Sequence, residues 1–217
     1  ADAATACGVR HQNTVAARQR QIGGQRRTLV AAFFFDDLYQ QGCCKVRFPR
    51  DAQGRMEAVL LNTSGGLTDG DTLSNEISWR AGTRATVTTQ AAERIYRAAT
   101  PDVARVATRI RIEDDCLACW LPQETIVFDG ARLARTLEID MQSSSRLVAL
   151  ESIVFGRRAM GETFDRGTVS DRWRLHLDGR LEFSDNFLLD DQLTGRVSEY
   201  LDRAAVANAA HCAATMI

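Results

Sequence analysis

The sequence predicts a mainly β protein whose strands stack or close into packed sheets. From residue 84 onward, apolar and polar residues alternate with the period of a strand more regularly than with that of a helix. Short Gly-rich or polar turns separate the alternating segments, and only three prolines occur in the chain. These observations indicate many short strands joined by tight turns, with few helices.

The alternation is clearest in residues 103–113, where one face of the segment is mostly apolar and the other is charged. The first face carries Ala104, Val106, Thr108, Ile110 and Ile112, and the second carries Arg105, Arg109, Arg111 and Glu113. Residues 172–178 repeat the pattern and end at Asp178-Gly179, a dipeptide favoured in tight hairpin turns. Since Leu181 and Phe183 resume an apolar face, we expect a hairpin there.

Four further segments have the composition of strands: 83–89, 120–128, 133–141 and 147–155. Helical character is confined to two places. Residues 90–98 are expected to form a short helix after a strand, and residues 198–212 are Ala-rich with Leu201 and several alanines at helical spacing.

Composition and length exclude several classes of protein. The 217 residues carry 27 Lys+Arg and 28 Asp+Glu, a net charge of −1, which argues against a nucleic-acid binder that displaces counterions with a basic excess. No apolar run approaches the roughly 20 residues of a membrane helix, and the first residues lack the pattern of a secretory signal. We therefore expect one cytoplasmic domain over residues 1–217, without a membrane or nucleic-acid partner.

The Gly-rich segment 62–71 admits two interpretations. Paired glycines let backbone amides converge on an anion, but the segment lacks the Gly-Lys-Ser/Thr ending of a phosphate-binding loop. It also lacks the alternating ligands of a calcium loop. A tight turn between two strands is the favoured interpretation.

The six cysteines form no regular framework and are expected to be reduced thiols. Cys116 and Cys119 have the spacing of a zinc knuckle, but a strand would place them on opposite faces. Adjacent Cys43 and Cys44 are poorly suited to a disulfide with each other. Packed thiols are therefore favoured over a structural zinc site.

Carboxylates within apolar segments carry more information. Glu124, Asp129, Glu151 and Glu162 lie in or beside apolar stretches, and burying a carboxylate costs several kcal/mol unless it is paired. For Glu151 one interpretation is an arginine partner, with Arg146, Arg157 and Arg158 near in sequence. The other is a polar interior or channel.

Six short segments, in order, resemble motifs of the family of urease accessory proteins called UreD or UreH. They are 62–71 (NTSGGLTDGD), 88–97 (TTQAAERIYR), 120–125 (WLPQET), 128–131 (FDGA), 155–157 (FGR) and 160–162 (MGE). Residues 39–49 are similar to an early strand motif of the family, and the resemblance extends from Tyr39 to at least Phe187. It implies stacked β-sheets with β-helix-like character and a few short helices.

The resemblance also implies a function. UreD proteins are not enzymes but scaffolds that bind urease apoprotein and, through UreF, the GTPase UreG, so that Ni²⁺ reaches the urease active site through a water-filled passage. A dimer within the accessory complex is possible, and Ni²⁺ is bound transiently, with no tightly held cofactor. A metal ion in transit needs weak oxygen ligands, since a closed Cys/His cage would retain it.

Seven carboxylates are candidates for the nickel passage or an interface. By resemblance to acidic positions of the family, the first four are Asp71, Glu93, Glu151 and Asp185; the others are Glu124, Asp129 and Glu162. Two departures from the family accompany them. Asp69 stands where the family generally has Gly, and the chain ends before the family's C-terminal segment, which leads us to expect an exposed sheet edge.

Two other functions remain open on the sequence. A β-solenoid carbohydrate hydrolase would use two carboxylates such as Glu124 and Asp129 as acid and base. It would need an aromatic-lined cleft, and aromatic residues make up only 7% of the chain. A generic β-rich binding module is the third interpretation.

Overall fold

The computed structural model describes residues 10–20, 32–49 and 56–217, and in these residues the regular secondary structure is almost all β-strand. The strands are β1 (Arg10–Arg20), β2 (Ala32–Gln41), β3 (Cys44–Arg47), β4 (Met56–Asn62), β5 (Thr72–Trp79), β6 (Arg84–Thr89), β7 (Glu93–Ile95), β8 (Ala104–Ile112), β9 (Leu117–Leu121), β10 (Thr125–Val127), β11 (Arg132–Met141), β12 (Arg146–Phe155), β13 (Thr168–Leu177), β14 (Arg180–Asp190) and β15 (Cys212–Met216). The helices are a 3₁₀ turn (Arg158–Met160), α1 (Asp191–Thr194) and α2 (Val197–Leu201).

Two stacked sheets form the fold. The first sheet has the order β14-β13-β11-β8-β5-β1-β2, in which β5, β8, β11 and β13 are parallel neighbours. In the second sheet, β3 pairs with β4, and β4, β6, β9 and β12 follow as parallel neighbours. Strand β10 continues the line of β9 and pairs with β12, and β7 continues the line of β6 and pairs with β10. Strand β15 pairs antiparallel with β12.

The chain passes from one sheet to the other in successive coils. Strand β4 leads to β5, the β6–β7 line to β8, the β9–β10 line to β11, and β12 to β13. Equivalent residues of successive coils stack, as Ile77, Ile110 and Ile139 do in the first sheet. This solenoid-like stack confirms the predicted fold class, and it forms without a clear sequence repeat because only the inward pattern recurs.

Buried apolar side chains between the sheets divide into two clusters. The tryptophan cluster contains Trp79, Trp120 and Trp173 together with residues such as Ile110 and Leu137. The phenylalanine cluster contains Phe155 and Phe164 together with residues such as Leu133 and Val169. Six strands (β3, β5, β8, β11, β12 and β13) contribute buried residues to both clusters, so the two clusters lie at opposite ends of the same strands.

The predicted hairpin at Asp178-Gly179 is confirmed. Both residues have positive φ, 51° and 79°, and they join the antiparallel strands β13 and β14. The predicted strands at 83–89, 103–113, 133–141 and 147–155 are also present within two residues of their expected limits.

Three predicted elements are corrected by the structure. The helix expected at 90–98 is absent, because Glu93–Ile95 forms strand β7 and pairs with β10. The single strand expected at 120–128 is two strands, with Pro122 in the break between β9 and β10. The helix expected at 198–212 is limited to α2, since Asn208 and Ala209 have left-handed backbone angles and Cys212–Met216 pairs as a strand.

The Gly-rich segment 62–71 is a connection between β4 and β5, as predicted. Its unusual member, Asp69, fits without a positive φ: its carboxylate accepts hydrogen bonds from the Thr68 hydroxyl (2.7 Å) and the Thr100 amide (2.8 Å). These hydrogen bonds hold the pKa of Asp69 far below its usual range, and the bond from Thr68 has the largest effect. The aspartate therefore fastens this connection to the loop after β7.

No helix among the described residues has the length and apolar character required to cross a membrane.

Candidate functional site: a polar layer between the two clusters

A layer of polar side chains separates the tryptophan cluster from the phenylalanine cluster. In most inward strands the polar residue stands between two apolar ones, as in β11, where Leu133 and Leu137 flank Arg135. The first sheet contributes Asn75, Thr108, Arg135, Asp171 and Asp185, and the second contributes Glu93, Thr125, Glu151 and Thr215. We call these nine residues the polar layer.

The centre of the polar layer is a buried ion-pair cluster around Arg135. Its Nε and Nη2 donate to the two oxygens of Asp171 at 2.9 and 2.6 Å, and its Nη1 donates to the Thr125 hydroxyl at 3.2 Å. Nε also lies 3.3 Å from Oε2 of Glu151. Arg135, Asp171 and Glu151 are each no more than 6% exposed, so these charges interact in a medium from which water is largely excluded.

The two oxygens of Glu151 have different surroundings. Oε1 accepts a hydrogen bond from Nε1 of Trp120 at 2.8 Å, whereas Oε2 is buried without a hydrogen-bond donor and has only the ion-pair contact with Arg135. Burial raises the pKa of Glu151, and the charge of Arg135 opposes that shift. One carboxylate oxygen in the middle of the polar layer is therefore incompletely satisfied.

One end of the polar layer is at Glu93, which faces a partly open cavity of about 150 Å³ also lined by Asn62 and Asn75. The Asn62 amide donates to both carboxylate oxygens of Glu93, at 3.0 and 3.2 Å. Burial raises the pKa of Glu93 despite this hydrogen bonding. Glu93 is the strand neighbour of Thr125, and Thr125 contacts Arg135, so this end is continuous with the central cluster.

The other end of the polar layer is at Asp185 on β14, the edge strand of the first sheet. Its carboxylate accepts a hydrogen bond from the hydroxyl of Thr215 on β15 at 3.3 Å, and Thr215 pairs directly with Glu151. Trp173, the strand partner of Asp185, has a buried Nε1 without an acceptor among the described residues. Polar groups thus follow one another from Glu93 through the cluster to Asp185.

Comparison with known proteins decides the family. The family model described as "UreD urease accessory protein" matches residues 26–217. The chain belongs to the UreD family. Three curated relatives, each named "Urease accessory protein UreD", show the extent of the similarity. The protein of Chelativorans sp. (strain BNC1) is 51% identical over 144 residues, 66% of this chain and 52% of the relative.

The UreD protein of Rhizobium leguminosarum bv. viciae is 44% identical over 184 residues, 82% of this chain and 67% of the relative. That of Sinorhizobium medicae (strain WSM419) is 42% identical over 194 residues, 89% of this chain and 66% of the relative. The chain therefore spans about half to two thirds of the length of these UreD proteins.

Of the seven predicted carboxylates, this UreD-family fold brings three into the polar layer: Glu93, Glu151 and Asp185. The other four lie outside it. Asp71 accepts from the Thr68 amide at 2.9 Å within the Gly-rich connection, and Glu162 pairs with Arg157 at 2.7 Å. Glu124 immediately precedes Thr125 and is partly exposed.

Asp129 holds loops of the UreD fold together. Its Oδ1 accepts from the amides of Asp165 (3.0 Å) and Arg166 (2.9 Å), and its Oδ2 pairs with Arg97 and Arg166. A carboxylate with this many donors is fixed in place as a structural clamp. This environment does not favour the acid or base role that a hydrolase would require of it.

The arginine partner expected for Glu151 exists, but its identity was wrong. It is Arg135, on the facing sheet, and not Arg146, Arg157 or Arg158, because contacts between sheets join residues distant in sequence. The other six layer residues were also missed: Asn75, Thr108, Thr125, Arg135, Asp171 and Thr215. The signal that identifies them is a polar residue at an inward position of an alternating strand, as Thr108 is between Val106 and Ile110.

The structure places Cys116 and Cys119 in different surroundings. Cys116 is buried, with Sγ 3.2 Å from the Arg80 carbonyl oxygen, whereas Cys119 lies on the outward face of β9. Burial raises the pKa of Cys44 to about 12, which keeps it a thiol. Cys44, Cys116, Cys119 and Cys212 form no disulfide, and in the described part of the chain no three His, Cys, Asp or Glu side chains are placed to hold a metal ion together.

Proposed function

We propose that this chain is a non-catalytic scaffold of urease maturation in the cytoplasm. It binds urease apoprotein and, through UreF, the GTPase UreG, with a dimer as the possible form of the accessory complex, and it passes Ni²⁺ to the urease active site. Membership of the UreD family supports the role in maturation, and the relatives are themselves named urease accessory proteins.

We propose that nickel passes through the polar layer. It offers carboxylate, hydroxyl and amide oxygens in succession from the cavity at Glu93 to the sheet edge at Asp185. Such oxygen ligands suit a cation that keeps part of its hydration and moves on. The apolar clusters on both sides would confine the ion to the layer, because an unpaired charge in apolar surroundings is strongly disfavoured.

Co-expression with urease and its other accessory proteins tests the maturation role. Removing this chain should leave urease with little nickel, measured by metal analysis of the purified enzyme together with urease activity. Fully loaded and active urease in its absence would contradict the proposal.

The path of nickel is tested by single carboxylate substitutions. Glu151→Gln and Asp185→Asn keep the shape of the side chain and remove its charge. Each should lower urease activation about tenfold, as a loss of about 1.4 kcal/mol in transit would. Glu138→Gln is the matched control, since Glu138 is exposed and pairs with Arg109 at 3.2 Å on the outer face of the first sheet. If soluble Glu151→Gln and Asp185→Asn chains activate urease as well as wild type does, the proposed path of nickel through the polar layer is contradicted.

A further inference from the structure

We infer that Arg135 is a resident counter-ion that closes the polar layer: its guanidinium occupies the place between Glu151 and Asp171 that a divalent cation bound through oxygens would take. The inference rests on the proposed passage and names the residue that controls it. Arg135 is not one of the carboxylates expected to meet nickel, and its role is to hold them while no metal ion is present.

The oxygens around Arg135 are those of a hard cation site. Asp171 presents both carboxylate oxygens to the guanidinium, at 2.9 and 2.6 Å, and Thr125 presents its hydroxyl at 3.2 Å. Glu151 adds Oε2 at 3.3 Å from the opposite sheet. Carboxylates and a hydroxyl that converge on one positive group are the ligand types that oxygen-bound divalent ions use.

The charge of the cluster is incompletely balanced by the arginine. With both carboxylates ionised, they and the guanidinium sum to −2 + 1 = −1, in a site where the three side chains are at most 7% exposed. A divalent ion in place of the guanidinium would give −2 + 2 = 0. A divalent ion would therefore balance the fully ionised cluster, which the guanidinium alone does not.

A second observation points to the same site. Oε2 of Glu151 is buried and receives no hydrogen bond, although its neighbour Oε1 is bound by Trp120. The bidentate contact of Arg135 with Asp171 leaves this oxygen available, since the fork of the guanidinium is already aligned with the other carboxylate. Glu151 therefore presents to an incoming cation an oxygen whose one polar contact is the ion pair with Arg135.

In this inference the displaced guanidinium moves along the polar layer towards Glu93. Its Nη1 already contacts Thr125, whose strand neighbour is the carboxylate residue Glu93. A change in the side-chain torsions of Arg135 would carry its charge towards Glu93 while the metal ion holds Glu151 and Asp171. In the resting state the same side chain keeps stray divalent ions from occupying the layer.

The test removes the counter-ion from the purified full chain. Arg135→Met keeps the length and apolar stem of the side chain without its charge. We expect this variant to bind one Ni²⁺ in equilibrium dialysis, where the wild-type chain retains much less. Its melting temperature should rise by about 5–10 °C at a nickel concentration roughly a hundredfold above Kd.

Two matched variants separate this site from other ligands. Arg135→Met/Glu151→Gln should lose the added nickel binding, whereas Arg109→Met, which removes an exposed arginine paired with Glu138, should behave like wild type. The inference is overturned if Arg135→Met binds no more nickel than wild type, or if the double variant binds as much as Arg135→Met. Nickel held by cysteines would produce the second result.

Folding of the variant is itself informative. If Arg135→Met is unfolded without metal, it is refolded from denaturant with Ni²⁺ and followed by circular dichroism; recovery of the wild-type spectrum supports the inference, and failure to recover contradicts it. The binding experiment needs no urease. Normal urease activation by the Glu151→Gln chain would therefore contradict the proposed path of nickel. The Arg135 inference would still be tested by the binding experiment.

Discussion

Glu151 shows how a single residue depends on its surroundings. It is 4% exposed, has one oxygen bound by Trp120, and shares Arg135 with Asp171. Burial is the largest influence on its pKa and raises it above the ordinary value of 4.5. The folded chain therefore holds the Glu151 proton more tightly than the unfolded chain does.

This shift predicts a pH dependence of stability. A raised carboxyl pKa favours folding at low pH, and that contribution is lost as pH rises from about 4.5 through the folded-state pKa. Glu151→Gln stays neutral, so its free energy of unfolding relative to wild type should increase between pH 5 and pH 8. Urea unfolding at several pH values measures the difference.

Asp178→Asn provides the control for that experiment. Hydrogen bonds from Ser143 lower the pKa of Asp178, so its contribution is lost only as pH falls below its ordinary value of 3.8. Between pH 5 and pH 8 its stability curve should run parallel to that of wild type. A Glu151→Gln curve that is also parallel would show that Glu151 is not desolvated as described.

At the scale of elements, the connection between β4 and β5 is the clearest case in which one backbone position decides the path. Gly66 has φ +151°, and a Cβ there would lie 2.5 Å from Cε2 of Tyr96 and 2.7 Å from the Arg94 carbonyl oxygen. That close approach lets the Leu67 amide donate to the Arg94 carbonyl oxygen at 2.7 Å. The connection is thereby fixed beside β7 and the cavity at Glu93.

Gly66→Ala should therefore lower the free energy of unfolding by about 2–4 kcal/mol, from backbone strain and the clash together. Gly65→Ala is its matched control: Gly65 also has a positive φ, +84°, but a Cβ there would have no atom within 4 Å. Only the backbone penalty of about 1–2 kcal/mol applies to it. Equal losses for the two variants in urea unfolding would contradict the packing described at Gly66.

At the scale of the whole molecule, the same strands run through both apolar clusters and the polar layer between them. Strand β11, for example, places Leu133 in the phenylalanine cluster and Leu137 in the tryptophan cluster. The three tryptophans of the chain all lie in the tryptophan cluster, so their fluorescence reports on that side of the polar layer. Strands shared in this way should make unfolding cooperative across the layer.

Leu133→Ala tests this cooperativity. Leu133 is fully buried in the phenylalanine cluster, and its truncation should cost about 2–5 kcal/mol. Tryptophan fluorescence should show the same shift in the urea midpoint as far-UV circular dichroism, although no tryptophan belongs to that cluster. A fluorescence midpoint that stays at the wild-type value would show that the clusters unfold independently.

Much of the fold was predictable because alternation is a local property. The strand over residues 103–113 and the hairpin at Asp178-Gly179 follow from side-chain period and turn chemistry alone. The segment 90–98 was not predictable in this way. Its local composition allows a helix, but pairing of Glu93–Ile95 with β10 satisfies its backbone within the second sheet.

The candidate site, like the fold, was only partly predictable from the sequence. From the sequence, Glu151 is a carboxylate within an apolar strand that needs an arginine partner or a polar interior, because a lone buried charge is too costly. Three facts needed the folded structure: Arg135 is the partner of Glu151, Asp171 shares this arginine, and Asp185 is linked to Glu151 through Thr215. Stacking of the two sheets brings these residues, which are distant in sequence, into contact. The side-chain pattern within one strand does not predict which strand will face it.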